Sequence, residues 1–289
     1  LTIANGLFVQ SGFPLKPAFV GGLSDHFGAA PETVDFAHDP PGATAAINSW
    51  TSAHTNGVIP ELFSELPAET RLVLANAVYL KAKWRHVFEN HDSLVGPFHR
   101  DGKTTKVPFM TQTEEFDYVA GPGYQAVDLP YRGSTLSMLV VLPTEGGGVA
   151  GLESRLREEG LASAMHGLTS KLVEIQMPRF HLKTEAELNG PLKALGVKRA
   201  FDEDADFSGI AAAEALKIGQ VRHVADIKVD EEGTEAAAAT GIVLNPVSAV
   251  ALPPNLVVFR ADHPFLFFVR DDTTGAVLFA GRLTNPQGT

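Results

Sequence analysis

The chain has 289 residues, no cysteine, and a formal net charge of −11 from 23 Lys and Arg against 34 Asp and Glu. Such acidity offers no electrostatic gain on nucleic acid or an anionic membrane surface, so neither is an expected partner. Without thiols there are no disulfide scaffolds, thiolate zinc sites, iron–sulfur clusters or cysteine nucleophiles.

The chain starts Leu1-Thr2-Ile3, with no initiating Met, basic region or apolar leader, which reads as the interior of a longer protein. Ile3 to Gln10 alternates as a strand and is closed by Ser11-Gly12 and Pro14. Lys16 to Phe27 has Phe19, Val20, Leu23 and Phe27 at helical spacing. Pro40-Pro41-Gly42 reads as a break, and Ala43 to Asn56 as a helix with Ala46, Ile47, Trp50 and Ala53 in register, stopped by Gly57. Arg71 to Leu80 is nearly all apolar, which predicts a strand covered on both faces around a single polar residue, Asn76. Gly123 to Pro130 and Ser134 to Leu142 predict a hairpin across Tyr131-Arg132-Gly133. The most apolar stretch, Leu136 to Leu142, is far short of the roughly 20 residues that cross a bilayer.

Leu152 to Met165 reads as a helix, Lys171 to Pro178 as a strand, and Glu185 to Leu195 as a helix ended by Gly196. Val221 to Val229, Leu256 to Phe259, Phe265 to Arg270 and Ala276 to Gly281 read as strands, with Asp271 to Gly275 as the last turn. Strands and helices do not alternate regularly, so a mixed α+β fold is expected rather than a doubly wound one. No internal repeat or linker divides the chain.

Catalytic and metal motifs are weak. His86 and His91 are five apart and share no helix face, and no His-Glu-x-x-His or Gly-x-Ser-x-Gly occurs. Gly146 to Gly151 matches Gly-x-Gly-x-x-Gly but lies three residues beyond its strand, so a flexible loop is expected. Asp202 to Asp206 lacks calcium-loop spacing. Asn76 and His223 sit inside apolar strand patterns, either as separately satisfied buried polar groups or as a polar cluster under a sheet that must open. The odd segment is Glu231 to Pro254, some 24 residues between two strong strands and without regular turn signals. A loop that long in a compact domain is functional or a misreading, and its small side chains suit a protease.

In that segment Glu231-Glu232-Gly233-Thr234-Glu235-Ala236-Ala237-Ala238-Ala239-Thr240 resembles the hinge of an inhibitory serpin. Leu1 to Phe8, Leu74 to Trp84, Val107-Pro108-Phe109-Met110, Phe201 to Gly209, Asp262-His263-Pro264-Phe265 and Leu278 to Pro286 resemble further motifs of that family in family order. The resemblance implies an α+β serpin fold with a large mixed central sheet, further sheets, packed helices, and an exposed reactive-centre loop over 231–254. It implies suicide inhibition of a serine protease, not enzyme activity: the protease cuts the loop, forms an acyl-enzyme, and is trapped as the loop inserts into the sheet. The partner is the target protease in a covalent complex. No cofactor or metal is implied, a monomer is expected, and a secreted location is the expectation, an intracellular one staying open.

The residues suit insertion. An added strand buries alternate side chains, and Thr234, Ala236, Ala238 and Thr240 are small and uncharged, while Glu235 can face solvent. Gly233 supplies freedom at the pivot, and no Pro interrupts Glu231 to Leu244. Family register puts the scissile bond between Val247 and Ser248, which implies an elastase-like target. The chain from Ser248 to Pro264 is a few residues longer than usual, so Ala249, Val250, Ala251 and Leu252 stay open, and Leu252 would imply a chymotrypsin-like target. Asn76 and His223 match the shutter, and Trp84 the breach. Arg179 and Glu231 match a breach ion pair, worth at most about 1 kcal/mol if exposed. The alternative is a non-inhibitory serpin serving as carrier, chaperone or storage protein. The family domain begins with elements that have no counterpart before Leu1, so roughly its first quarter is expected to be missing.

Overall fold

The computed structural model describes residues 2–27, 30–88, 94–144, 147–211, 216–234 and 255–287. They form two compact units, one of Leu1–Leu80 with Leu182–Asp226, the other of Lys81–His181 with Ile227–Thr289.

In the first unit, strand β1 (Thr2–Gln10) pairs antiparallel with β3 (Leu72–Tyr79) and parallel with β2 (Pro31–Val34), a short strand with no sequence signal. Helix α1 (Pro17–Phe27) forms as predicted, yet none of its residues is buried. Helix α2 (Pro40–His54) begins three residues earlier than expected. Its prolines occupy the first turn, where a missing N–H costs nothing, and Asp39 caps it by accepting from Gly42 N at 3.0 Å. The buried face is Ala43, Thr44, Ile47 and Thr51, whereas Ala46 and Ala53 are exposed. The two threonines pass as apolar because each hydroxyl donates to the carbonyl four residues back, Pro40 at 2.9 Å and Ile47 at 3.0 Å.

This face packs with Phe8, Phe36, Phe63, Val73, Ala75 and Val224 in one cluster. Trp50 meets Phe8 edge-on at 5.5 Å and lies 4.3 Å from the His54 ring. On β3, Val73 and Ala75 are buried but Leu74 is 67% exposed, so one face is covered, not both. The expected helix over 185–195 is shorter than predicted. β10 (Phe180–Glu187) takes its first residues, and only α5 (Asn189–Ala194) is helical.

In the second unit the strands are β4 (Ala82–Lys83), β5 (Leu94–Arg100), β6 (Lys103–Gly121), β7 (Tyr124–Pro130), β8 (Leu136–Pro143), β9 (Thr169–Pro178), β13 (Val257–Arg260), β14 (Phe265–Asp271) and β15 (Val277–Leu283). All but β4 join one sheet, ordered β13-β9-β6-β7-β8-β14-β15 with β5 on β6. The 19-residue β6 serves three partners in turn: β5 up to Phe109, β9 from Phe109 to Tyr118, and β7 from Asp117. The β7–β8 hairpin turns across Tyr131 to Gly133 as predicted, with Tyr131 N bonded to Leu136 O at 2.9 Å.

Gly148 to Gly151, read as loop, is the first turn of helix α3 (Gly148–Glu159). Gly147 and Gly148 enter it at φ 118° and 52°, a region that favours glycine. Gly160, at φ 81°, splits the predicted 152–165 helix into α3 and α4 (Leu161–Met165). Val149, Leu152 and Ala164 pack on Tyr124, Leu139 and Val141. His263 of the Asp-His-Pro-Phe stretch ties the start of β14 to the end of β8, with Nε2 2.7 Å from Pro143 O and Nδ1 2.8 Å from Asp262 Oδ1.

The remaining strands, β11 (Arg222–Val229) and β12 (Gly233–Thr234), complete a four-stranded sheet ordered β10-β11-β12-β4. β10 and β11 run from one unit into the other.

Candidate functional site

The site is a two-residue hairpin at the end of β11. Asp230 and Gly233 exchange both backbone hydrogen bonds, at 3.0 and 3.3 Å, leaving Glu231 and Glu232 as the turn. The chain then returns as β12 between two strands. Thr234 faces Val229 of β11 and Ala82 of β4, and Gly233 faces Lys83.

The two carbonyls of the turn each have a specific anchor. Glu231 O accepts from Phe88 N at 3.0 Å, and Glu232 O accepts from Trp84 N at 2.9 Å. Trp84 Nε1 donates to Asp230 O at 2.9 Å, and Glu232 N donates to Asp230 Oδ1 at 3.0 Å. Gly233 is required by packing more than by freedom. A Cβ there would stand 2.0 Å from Ala82 O and 2.8 Å from Lys83 Cα, backbone atoms that cannot swing aside.

Beneath β12 lies an aromatic floor. Trp84 and Tyr131 are buried and stacked, with centroids 4.6 Å apart and planes within 9°. Phe88 meets Trp84 edge-on at 6.3 Å. Arg132 N to Lys83 O at 2.8 Å and Arg85 N to Pro130 O at 2.9 Å knit the two segments that carry these rings. The Tyr131 hydroxyl shares a 2.6 Å hydrogen bond with Thr234 Oγ1, and both residues are buried. Burial pushes the Tyr131 phenol well above its ordinary range, against the opposing pull of that hydrogen bond.

Three consecutive carboxylates each meet a cation from a different segment. Glu231, 1% exposed, is bonded by the Arg179 guanidinium. The pair is therefore buried on its acidic side, and the value of an exposed pair does not apply. Glu232 faces Lys83 at 3.4 Å, and Asp230 faces Lys228 at 3.9 Å. Burial raises the Asp230 carboxyl above the usual carboxylate range, opposed by the Glu232 N–H and by Lys228.

Of the residues singled out in the sequence, Trp84, Arg179, Glu231, Gly233 and Thr234 come together here. Asn76 and His223 belong to the first unit, on β3 and β11, and their side chains are exposed, so neither is a buried polar residue. Glu235, Ala236, Ala237, Ala238, Ala239, Thr240, Val247 and Ser248 lie outside the described residues. Tyr131 is the functional residue that sequence reading missed. Its only signal was an aromatic at a hairpin turn, and its partner is 103 residues away. Among the described residues, no group of three His, Asp or Glu could hold a metal ion, and no helix is long and apolar enough to cross a membrane.

A family model described as "Serpin (serine protease inhibitor)" matches residues 1–286. The chain belongs to the serpin family. This is a family of protease inhibitors, not of enzymes. An uncharacterized serpin-like protein of Thermococcus kodakarensis is 39% identical over 99% of this serpin, which spans 67% of that relative. The leukocyte elastase inhibitor of Bos taurus is 36% identical, with 99% and 78% covered. Among solved structures, a cleaved Serpin 42Da matches with a TM-score of 0.86 at 36% identity, covering 98% of this serpin and 76% of that chain. Uncleaved ovalbumin matches with a TM-score of 0.83 at 29% identity, with 99% and 74% covered. The α+β serpin fold predicted from the sequence is the fold found, with three sheets and helices among the described residues.

Proposed function

We propose that this serpin is inhibitory: a suicide substrate for a serine protease of elastase-, chymotrypsin- or subtilisin-like specificity. The observation that carries this reading is β12. Two residues of the hinge already occupy a strand position between β11 and β4, with Thr234 turned inward onto Tyr131. The next residues of the chain suit continuation of that strand. Residues 236, 238 and 240 are Ala, Ala and Thr, and no Pro occurs before Asn245. Continued register brings residue 236 opposite Ile227, which is 6% exposed, so only a small apolar side chain is accepted there.

In this mechanism Glu231-Glu232 is a fixed pivot, tied by Trp84, Phe88 and Arg179. Cleavage between Val247 and Ser248 frees the loop, and each new rung adds backbone hydrogen bonds while the protease is still esterified to the loop. In this reading Asn76 on β3 and His223 on β11 act as the shutter.

The test is incubation of full-length protein with an elastase-type protease. An SDS-resistant covalent complex, with the loop cut after Val247 by mass spectrometry, is expected. Clean turnover of the loop without a complex would refute inhibition and fit a carrier or storage role instead.

A further inference from the structure

We infer that Arg270 is a positioning residue for the hinge: together with Asp128 and Asp272 it fixes the β7–β8 turn that carries Tyr131, and through Tyr131 the seat of Thr234. The consequence for protease trapping rests on the inhibitory reading above; the consequence for β12 does not.

Arg270 stands on β14 and holds two carboxylates. Its Nη2 donates to Asp128 Oδ2 of β7 at 2.9 Å, and its Nη1 lies 2.9 Å from Asp272 Oδ1. Between β7 and β14 runs β8, where Ser137 faces Arg270 on one side and Pro130 on the other. Ser137 is buried and small, which leaves the guanidinium room to reach Asp128, and its hydroxyl donates to Asp272 Oδ1 at 2.7 Å. Asp272 N donates in turn to Thr135 O at 2.8 Å. Both arms of the β7–β8 turn are therefore tied to the end of β14, through Asp128 on the way out and through Thr135 and Ser137 on the return. The turn begins at Tyr131, whose hydroxyl lies 2.6 Å from Thr234 Oγ1.

Stability alone does not call for these charges. The Arg270 and Asp128 side chains are 13% and 11% exposed. Asp128 Oδ1 and Arg270 Nε are buried with no hydrogen-bond partner among the described residues. Burial raises the Asp128 carboxyl above the usual carboxylate range, against the pull of Arg270 and Ser137. A well-packed apolar set often stabilises as much as such a pair. What the ions add is direction, since the bonds of a guanidinium fork fix distance and angle where apolar contact does not. Direction matters at this end of the sheet. The pairing of β14 with β15 slips between Val269 and Arg270, whereas its pairing with β8 runs unbroken to Asp271 opposite Leu136.

The test compares Asp128→Leu/Arg270→Met, alone and combined with Tyr131→Phe, by thermal midpoint and by hydrogen exchange at the Gly233 and Thr234 amides. Asp272 is exposed and is then hydrated, so apolar replacement of the buried pair should leave the midpoint near the parent's. Exchange in β12 should nonetheless speed up by about 2- to 12-fold, the span of one net hydrogen bond, while the Ile175 amide of β9 keeps its rate. In the Tyr131→Phe protein the same double substitution should add nothing, because the link it acts through is already gone. Asp128→Asn keeps the shape and a weaker, neutral hydrogen bond; it should speed β12 exchange by a smaller factor, and it decides the matter if the double variant does not fold. Exchange in β12 left unchanged by these variants, or accelerated equally with and without the Tyr131 hydroxyl, would overturn the assignment and leave the inhibitory reading standing. On that reading the double variant should also trap a smaller fraction of protease as SDS-resistant complex. A wild-type protein that forms no complex would sink the inhibitory reading and leave the exchange result, and Arg270's role in seating Thr234, intact.

Discussion

Tyr131→Phe removes a single oxygen, 2.6 Å from Thr234 Oγ1. The stack on Trp84 involves the ring and survives. Tyr131 is 0% exposed and Thr234 2%, so water does not replace the lost partner. A buried hydroxyl left unsatisfied costs about 1–3 kcal/mol. Thr234→Val does the converse, stranding the phenol. The double variant puts apolar groups of the same shape on both sides, which is close to neutral. Each single variant should therefore lose about 1–3 kcal/mol and the double less than about 1 kcal/mol, giving a coupling of at least about 1 kcal/mol. Guanidinium unfolding measures the totals, and hydrogen exchange at the Gly233 and Thr234 amides localises them to β12. Additive losses, or a Tyr131→Phe variant within about 0.5 kcal/mol of the parent, would show that this bond does not seat the hinge.

Ala236→Arg should leave the uncleaved protein's thermal midpoint unchanged and turn inhibition into turnover. Forcing a cation against the Ile227 face costs at least about 3 kcal/mol, more than about 100-fold in the insertion rate, and undiminished trapping would contradict insertion. Gly233→Ala puts a methyl onto the Ala82 carbonyl; a loss of about 1–3 kcal/mol and faster exchange at Thr234 are expected, and an unperturbed β12 would argue against the close approach. Arg179→Ala leaves Glu231 buried without its guanidinium, which costs about 3–5 kcal/mol and is read from the denaturation midpoint; a loss below about 1 kcal/mol would mean the pair behaves as exposed. Alkaline pH tests the buried phenol. The folded state holds the Tyr131 proton above the ordinary value of about 10, whereas the unfolded chain releases it there. The contribution is thus whole below about pH 10 and lost as pH rises toward the raised value, and Tyr131→Phe should flatten that loss.

Much of the fold was legible where a strand has one buried face. Val173, Ile175 and Met177 are buried and alternate with partly exposed neighbours along β9, and β11, β14 and β15 were equally plain. β6 was not. Its buried residues Val107, Phe109, Met110 and Phe116 are separated by Pro108 and a Thr-Gln-Thr-Glu-Glu run, because long stretches of it lie half open to solvent. The last three residues of β10 were read as helix because Glu185, Ala186 and Glu187 are good helix formers, and only the sheet ladder overrides that preference. The buried face of α2 was misplaced because Thr44 and Thr51 look polar until their hydroxyls are seen to fold back. At the site, Gly233, Thr234, Glu231, Trp84 and Arg179 were found through motif resemblance. Tyr131, Lys83 and Lys228 were not, since their roles come from register and stacking between segments remote in sequence.

The chain has two tryptophans, and each belongs to a different unit: Trp50 beside Phe8 and His54 in the first, Trp84 on Tyr131 in the second. They amount to two built-in optical gauges. In a Trp50→Phe protein the remaining indole of these 289 residues is the one whose N–H donates to Asp230 O, so its emission reads the surroundings of the Glu231-Glu232 turn without any attached dye. In a Trp84→Phe protein the indole signal of these residues comes from the first unit, and comparing the two variants' traces in time would order changes in the two units without a label.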